Sequence, residues 1–223
     1  MRLPEHLLRI ISYFFVIPKR KTPSAVNGLL EVNYANGKKV LDAANTNYSF
    51  GSLQQVLRYG LTKIDFSGIS TVLVLGVGGG SVIRTLRDEF EFSGTVTGVE
   101  IDPVVLQLAR EEFGLKTDQN MKLINVDAGE FLRNSTEIFD LVIIDIFIDL
   151  EIPDFVFERS FVEDVVAHLT DKGQLLVNCG FERQRALAEQ FIQHLQVQMD
   201  IKMMDKIGGV NTLLVGQKKH PLG

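Results

Sequence analysis

The chain has 223 residues, 45% of them hydrophobic, and a formal net charge of −5 at pH 7. This length allows one substantial hydrophobic core, and an acidic chain without a dense lysine and arginine stripe is a poor candidate for binding nucleic acid. The single cysteine, Cys179, excludes an intrachain disulfide, and no cysteine and histidine set has zinc-ligand spacing, so we expect no metal site and a cytoplasmic location.

An apolar stretch near the N-terminus covers residues 7–17. Arg9 interrupts it, and it is shorter than the roughly 20 residues that cross a bilayer. No small-residue cleavage site follows Pro18, which disfavours a secretory signal. We therefore expect no membrane span, and a helix or strand here that packs on the body of the protein or on a second subunit.

Residues 28–43 have the pattern of a β hairpin. Two strand-like runs, 29–34 and 38–42, flank the dipeptide Asn36-Gly37, and both of these residues tolerate the positive φ angles of a tight hairpin turn. The sequence therefore predicts a small β appendage before the main domain.

A helical pattern follows the hairpin, with apolar residues at Leu53, Val56, Leu57 and Leu61. We expect this helix to lead into the core. The predicted division of the chain is an N-terminal segment with its appendage at 1–65 and a Rossmann-like domain at 66–223.

Strand-like and helical patterns alternate from residue 71 onwards. Such βα repetition predicts an α/β fold with a mostly parallel sheet covered on both faces. The short link Gly208-Gly209 predicts that the last two strands form a closing antiparallel hairpin. The predicted strands are 71–76, 95–100, 121–126, 139–145, 174–179, 197–204 and 210–217.

The first of these strands runs into a glycine-rich turn made of Gly76, Gly78, Gly79, Gly80 and Ser81. A strand that ends in glycines and restarts as a helix gathers free backbone N–H groups and a helix N-terminus at one point, which suits a nucleotide or a carboxylate. Ser81 stands where a dinucleotide fingerprint has its third glycine, so the pattern disfavours an NAD-dependent oxidoreductase.

Acidic residues follow the next strands, and ligands of parallel sheets bind beyond these carboxyl ends. Glu100 ends the second strand, twenty residues after Gly80, where a carboxylate can accept hydrogen bonds from both hydroxyls of a ribose. We expect Glu100 and the adjacent Ile101 to contact the cofactor. Asp102, by contrast, precedes Pro103 and is typical of a helix N-terminus.

Asp127 and Ala128 follow the third strand. The Asp127 carboxylate could accept a hydrogen bond from the exocyclic amine of adenine while Ala128 leaves room for the ring; alternatively, Asp127 caps a helix, with Glu130 at the capping-box position. Asp145 ends the apolar fourth strand, where it could hold an ammonium group or take a proton as the catalytic residue. The alternative for Asp145 is a solvated aspartate at a strand end.

Together, the glycine turn and the three acidic strand ends resemble the class I S-adenosylmethionine (SAM)-dependent methyltransferase fold. Many members of that class carry an acid two residues before the first glycine, whereas this chain has Val74 and a preceding hairpin, and in this it is similar to the spermidine synthase-like family. The resemblance covers most of residues 28–217. It implies a seven-stranded sheet, bound SAM or decarboxylated SAM, and a homodimer.

The chain departs from this family after the glycine turn. Aminopropyltransferases carry an aspartate there that holds the terminal amine of decarboxylated SAM, whereas this chain has Ser81. Intact SAM adds a carboxylate that an aspartate would repel, so Ser81 favours methyl transfer. We expect a small-molecule acceptor such as an amine. Four apolar residues could form its pocket or simply pack in the core: Ile146, Phe147, Ile148 and Phe155.

Two alternatives stay open. Aminopropyl transfer in polyamine biosynthesis is favoured by the family resemblance and by the acids Asp145, Asp149, Glu151 and Asp154. A non-catalytic nucleotide-binding module is favoured by the altered acceptor loop.

Overall fold

A computed structural model of the protein describes residues 3–43, 47–49, 51–148, 151–179, 184–207 and 211–219. In these ranges the chain forms a four-stranded antiparallel sheet and then a seven-stranded sheet with helices on both faces. This is the predicted α/β, Rossmann-like architecture with an N-terminal β appendage.

Strands β1 to β11 are Ile17–Ser24, Gly28–Ala35, Lys38–Asp42, Asn47–Ser49, Thr71–Leu75, Thr95–Glu100, Met121–Asn125, Phe139–Ile144, Leu169–Cys179, Met199–Ile207 and Asn211–Lys218. Helices α1 to α7 are Glu5–Ile11, Gly51–Leu61, Ser81–Asp88, Pro103–Phe113, Ala128–Asn134, Arg159–Ala167 and Arg185–Gln198. A 3-10 turn covers Asp154–Phe157.

The large sheet has the strand order β10-β11-β9-β8-β5-β6-β7. Strand β11 is antiparallel to both of its neighbours, and the other pairs are parallel. The predicted closing hairpin is confirmed, although Gly208 and Gly209 lie outside the described residues. The chain moves outward from β5 through β6 to β7 and then returns to β8, so the direction reverses between the tips of β5 and β8, where sheets of this kind bind their ligands.

The core of this sheet forms because its central strands are apolar over their whole length. Residues 72–75 of β5 and 141–144 of β8 are almost completely buried between the two helical layers. Helices α2 and α3 pack on one face, and α5, α6 and α7 on the other. Helix α2, which the sequence pattern predicts, packs so closely on strand β9 that a Cβ on Gly60 would lie 2.6 Å from Leu176 Cδ1.

Because α2 shares the core of the large sheet, it packs with the domain that follows it in the chain. The boundary after residue 65 stays a prediction. The side chain of Leu53, part of the helical pattern, lies outside the described residues.

The N-terminal sheet packs on helix α4. Leu30, Val32 and Leu41 form one apolar cluster with Val105 and Leu108 of that helix. Salt bridges add to this contact, since both Lys19 and Lys39 pair with Glu112 near the end of α4. The predicted hairpin of β2 and β3 is confirmed, and its turn residues Asn36 and Gly37 have φ angles of 50° and 75°.

Helix α1 lies outside this packing, because none of its residues is buried. The buried Ser12 attaches the segment to the hairpin, its carbonyl and hydroxyl oxygens accepting hydrogen bonds from the N–H groups of Asn36 and Gly37 at 2.9 Å each. Strand β1, which pairs with β2, is not predicted by the sequence pattern. No helix in the described ranges is long and apolar enough to cross a membrane.

At the amino ends of β5 and β8, one carboxylate joins the two strands. Asp140 Oδ2 accepts hydrogen bonds from the N–H and hydroxyl groups of Ser70, both at 2.9 Å, and of Thr71, both at 3.0 Å. Burial raises the pKa of Asp140, but these hydrogen bonds outweigh it and hold the pKa below its usual value.

We expect Asp140→Ala to lower the free energy of unfolding at pH 7 by about 1–3 kcal/mol, because four donors lose their acceptor. A carboxyl group with a lowered folded pKa stabilises the fold above its unfolded pKa and loses this effect in acid, so the difference should shrink as the pH falls below about 4. Urea unfolding at pH 7 and at acidic pH measures the loss of stability and its dependence on pH. The exposed Asp171, replaced by alanine, is the control; equal effects of the two variants would contradict this role of Asp140.

Candidate functional site

The tips of β5 and β8 approach each other closely at Gly76. Its φ angle is +89°, and a Cβ at this position would lie 2.2 Å from the carbonyl oxygen of Asp145. The Gly76 N–H donates to the Val99 carbonyl at 2.9 Å, so this residue also connects β5 to β6. Only glycine adopts this positive φ angle readily and also lacks the Cβ atom that would clash with Asp145. The glycine turn therefore begins at the tips of β5 and β8, where the strand order reverses.

The rest of the glycine turn leads directly into helix α3. Gly78 and Gly80 have φ angles of 54° and 84°, and the Gly80 N–H donates to the Val77 carbonyl at 2.9 Å. Gly79 and Ser81 are buried, and Ser81 is the first residue of α3. The predicted strand, glycine turn and helix N-terminus are thus brought to one point.

Glu100, at the end of β6, holds this turn in place. Its Oε2 accepts hydrogen bonds from the N–H groups of Val77 and Gly78, and its Oε1 accepts one from Asp102, each at 3.1 Å. Only 7% of the residue is exposed, and this burial raises the pKa of Glu100, while the three hydrogen bonds act in the opposite direction. Ile101, next in the chain, is 42% exposed.

Asp102 anchors the N-terminal sheet beside Glu100. The fully buried Asp102 caps helix α4, its Oδ1 accepting from the N–H of Val104 at 2.8 Å. Its Oδ2 accepts from the Ser24 hydroxyl and from Asn27 Nδ2, at the turn between β1 and β2. The helix-cap interpretation of Asp102 is confirmed, and the appendage is attached two residues from Glu100.

Asp127 and Ala128 lie at the neighbouring strand end. Asp127 Oδ1 accepts from the N–H of Glu130 at 3.0 Å, so Asp127 caps α5 as the alternative interpretation predicted. Ala128, the first residue of α5, is buried. Binding of adenine by these two residues stays a prediction.

Asp145 follows β8, and its N–H donates to the Leu75 carbonyl at 2.8 Å. Its Oδ1 accepts a hydrogen bond of 2.8 Å from Asn178 Nδ2 on the next strand. The pKa of Asp145 is raised to about 6, mainly by burial; the Asn178 hydrogen bond lowers it, and the negative charge of Glu100 raises it. This aspartate is therefore ionised at neutral pH, yet close enough to its pKa to take up a proton.

Part of the predicted apolar pocket belongs to the hydrophobic core. Ile146, Phe147 and Phe155 pack against the main hydrophobic cluster, whereas Ile148 is exposed. Asp149 lies outside the described residues. In the part of the chain that the structure describes, no group of three or more histidine, cysteine, aspartate or glutamate residues could hold a metal ion.

Asn178 is a site residue that the sequence analysis missed. It follows the apolar run 175–177 at the carboxyl end of β9, and Val177 pairs with Ile144 of β8. The rule that identified Glu100 and Asp145, a polar residue at the carboxyl end of an apolar parallel strand, also applies to this position.

A family model for the spermine/spermidine synthase domain matches residues 59–204. Among curated proteins, the chain is 30% identical over 110 residues to a polyamine aminopropyltransferase of Vibrio vulnificus, covering 48% of this chain and 36% of that protein. It is 28% identical over 163 residues to the human eEF1A lysine and N-terminal methyltransferase, covering 67% of this chain and 23% of that protein. The chain thus spans well under half the length of these two relatives.

Among solved structures, the fold is similar to that of human methyltransferase-like protein 13 in complex with SAH. The TM-score is 0.65 at 22% identity, covering 78% of this chain and 84% of that one. At this identity the likeness concerns the fold alone.

We expect Asp145→Asn to stabilise the protein at pH 8 by about 1–3 kcal/mol. A carboxyl group whose folded pKa is raised destabilises the fold when ionised: the effect is absent below about pH 4, grows towards about pH 6 and is complete above it. Asparagine removes the poorly solvated charge and can still accept a hydrogen bond from Asn178 Nδ2. Urea unfolding at pH 4 and pH 8 measures the difference.

The exposed Asp154, replaced by asparagine, is the matched control, and we expect little change at either pH. A destabilised Asp145→Asn protein at pH 8 would contradict the assignment of a partly buried, charged carboxylate that destabilises the fold.

Proposed function

Because the chain belongs to the spermine/spermidine synthase domain family, we propose that it is a transferase that uses SAM to methylate an amine. The observation that carries this proposal is the meeting of the glycine turn, Glu100 and Asp145 at one edge of the sheet. The cytoplasmic location and the homodimer stay predictions from the sequence.

The residues at this edge fit an adenosyl group. The Glu100 carboxylate has about four lone-pair sites, and three backbone N–H groups use three of them, which leaves one site for a ribose hydroxyl. Ile101, which directly follows Glu100 in the chain, offers an exposed apolar side chain. Asp127 and Ala128, on the next strand end, would then face the base.

Ser81 bears on which form of the cofactor binds. SAM carries an ammonium and a carboxylate at the end of its amino-acid part, whereas decarboxylated SAM carries the ammonium alone. A neutral serine at the N-terminus of α3 does not repel a carboxylate, which the helix dipole also favours. We therefore place intact SAM here.

When bound, SAM supplies a sulfonium methyl carbon that is open to in-line attack. Asp145 would bind the ammonium form of the acceptor through its carboxylate and take the proton that the nitrogen must lose before it can attack. The tips of β5, β8 and β9 fix Asp145 through Leu75 and Asn178, so the acceptor would be oriented by rigid elements.

Aminopropyl transfer is the second candidate, because several of the matched relatives are named polyamine aminopropyltransferases. The two reactions differ in the cofactor that the site selects. Binding of the two forms of SAM therefore separates them.

We expect the protein to bind SAM more tightly than decarboxylated SAM, and Ser81→Asp to weaken SAM binding about tenfold or more while improving binding of the decarboxylated form. The reason is the repulsion between an aspartate and the SAM carboxylate. Isothermal calorimetry with the two cofactors measures this directly.

Ser81→Asn is the control, since it has the size of aspartate without the charge. Equal losses of SAM affinity in Ser81→Asp and Ser81→Asn would indicate steric crowding rather than charge repulsion. A wild-type preference for decarboxylated SAM would support aminopropyl transfer, and a preference for NAD would contradict both candidates.

A further inference from the structure

The exposed apolar side chains of this protein are concentrated near the N-terminus. Eight of the fifteen large hydrophobic residues that are exposed in the described ranges lie within residues 3–16, and the others are scattered over the rest of the chain. A single exposed apolar residue is ordinary, but a dense group of them marks a binding surface. We call this group the N-terminal apolar surface: Leu3, Leu7, Ile10, Ile11, Tyr13, Phe14, Phe15 and Val16.

Helix α1 turns the apolar stripe of its sequence towards solvent. Leu7, Ile10 and Ile11 recur at the spacing of one helix face, and all three are exposed. The neighbouring side of the helix attaches it to the protein, since Leu8 is half-buried and the buried Ser12 binds the turn between β2 and β3. A helix that packs on its own protein normally buries its apolar stripe. The stripe of α1 is instead available to an external partner.

The turn between α1 and β1 continues this surface. The Tyr13 ring lies against the hairpin, because a Cβ on Gly37 would be 2.5 Å from its Cζ atom. The next two side chains project into solvent, with Phe14 78% and Phe15 72% exposed. Protruding aromatic side chains beside an apolar helix stripe are typical of a segment that lies in the boundary between lipid headgroups and acyl chains.

The charge around this surface is opposite in sign to that of the whole chain. Residues 1–49 contain seven lysine and arginine residues and three acidic residues, whereas the chain has a net charge of −5. Glu111 and Glu112 of α4 pair with three of these cations, but they add only two negative charges. The N-terminal apolar surface therefore lies in a positively charged part of an otherwise acidic protein.

We propose that the N-terminal apolar surface docks the protein on a membrane that contains anionic lipids. The side chains of Phe14, Phe15 and the α1 stripe enter the lipid boundary, the surrounding cations attract anionic headgroups, and the acidic remainder of the chain faces away from the membrane. A second copy of this chain fits less well, because a symmetric contact through the same surface brings two positively charged regions together. This inference goes beyond the proposed transferase function and does not depend on it.

Co-sedimentation with lipid vesicles tests the proposal. The probes are vesicles of phosphatidylcholine alone and vesicles of equal parts phosphatidylcholine and phosphatidylserine. We expect the protein to bind the anionic vesicles about tenfold or more tightly than the neutral ones, and this preference to shrink as the salt concentration rises. Equal binding to the two kinds of vesicle would overturn the role of the positive charge.

The double variant Phe14→Ser, Phe15→Ser tests the apolar contact. We expect it to weaken binding to the anionic vesicles about tenfold or more, because two large apolar side chains no longer leave water on docking. The matched control is the double variant Val197→Ser, Met203→Ser, which changes two exposed apolar residues of α7 and β10. We expect the control to bind the vesicles as the wild type does.

Reversal of one exposed charge tests the electrostatic contact independently. Lys38 is exposed next to the hairpin turn that binds Ser12, and we expect Lys38→Glu to weaken binding to the anionic vesicles about fivefold or more. Lys172→Glu, at an exposed position of β9, changes the net charge of the protein by the same amount and should have little effect.

Three results would overturn the inference: no binding of the wild type to anionic vesicles, unchanged binding in the Phe14→Ser, Phe15→Ser variant, or an equal loss in its control. Sedimentation without lipid tests a second copy as the occupant. A wild-type dimer that ignores the vesicles and dissociates in the Phe14→Ser, Phe15→Ser variant would assign the surface to a subunit contact and overturn the membrane assignment. None of these measurements contains a cofactor, so they leave the proposed function untouched.

Discussion

One buried carboxylate organises the candidate site. Glu100 accepts hydrogen bonds from the N–H groups of Val77, Gly78 and Asp102, and so joins the end of β6 to the glycine turn and to the start of α4. A buried anion is tolerated only where hydrogen bonds replace its hydration, and backbone N–H groups at two chain turns provide this. The positive φ angles at Gly76, Gly78 and Gly80 allow the turn to present those groups.

The site places two acids close enough that the charge of Glu100 raises the pKa of Asp145. This arrangement lowers the stability of the fold, because ionised Asp145 is partly buried and has no cationic partner in the described ranges. It also creates a region of negative potential, which favours cations such as a sulfonium and an ammonium. The same desolvation that destabilises Asp145 brings its pKa close to neutrality, where a proton acceptor works best.

The fold could be predicted from the sequence because its main signals are local. The apolar runs that become β5 and β8, the Asn36-Gly37 turn and the glycines after β5 each specify their own backbone. Strand β1 could not be predicted, since Pro18, Pro23 and several charged residues hide its pattern and its pairing with β2 is a tertiary interaction. The start of strand β9 at Leu169 could not be predicted either. Polar residues precede its apolar part, and its pairing with β8 is again a tertiary interaction.

The site could be predicted only in outline. The rule of strand ends located Glu100, Asp127 and Asp145, but the hydrogen bonds that distinguish them depend on three-dimensional contacts. Only the structure shows that Asp127 caps α5 and that Asp102 attaches the N-terminal sheet. Asn178 was missed because a single asparagine inside an otherwise apolar stretch is unremarkable in sequence, and its oxygen, which is unpaired in the described ranges, becomes visible only beside Asp145.

A crystal structure of the protein with S-adenosylhomocysteine (SAH) tests the central claim most directly. We expect electron density across the tips of β5, β6 and β8, with a ribose hydroxyl within hydrogen-bond distance of the Glu100 carboxylate and the adenine beside Asp127. Density for SAH at another surface, or a ribose that does not contact Glu100, would contradict it.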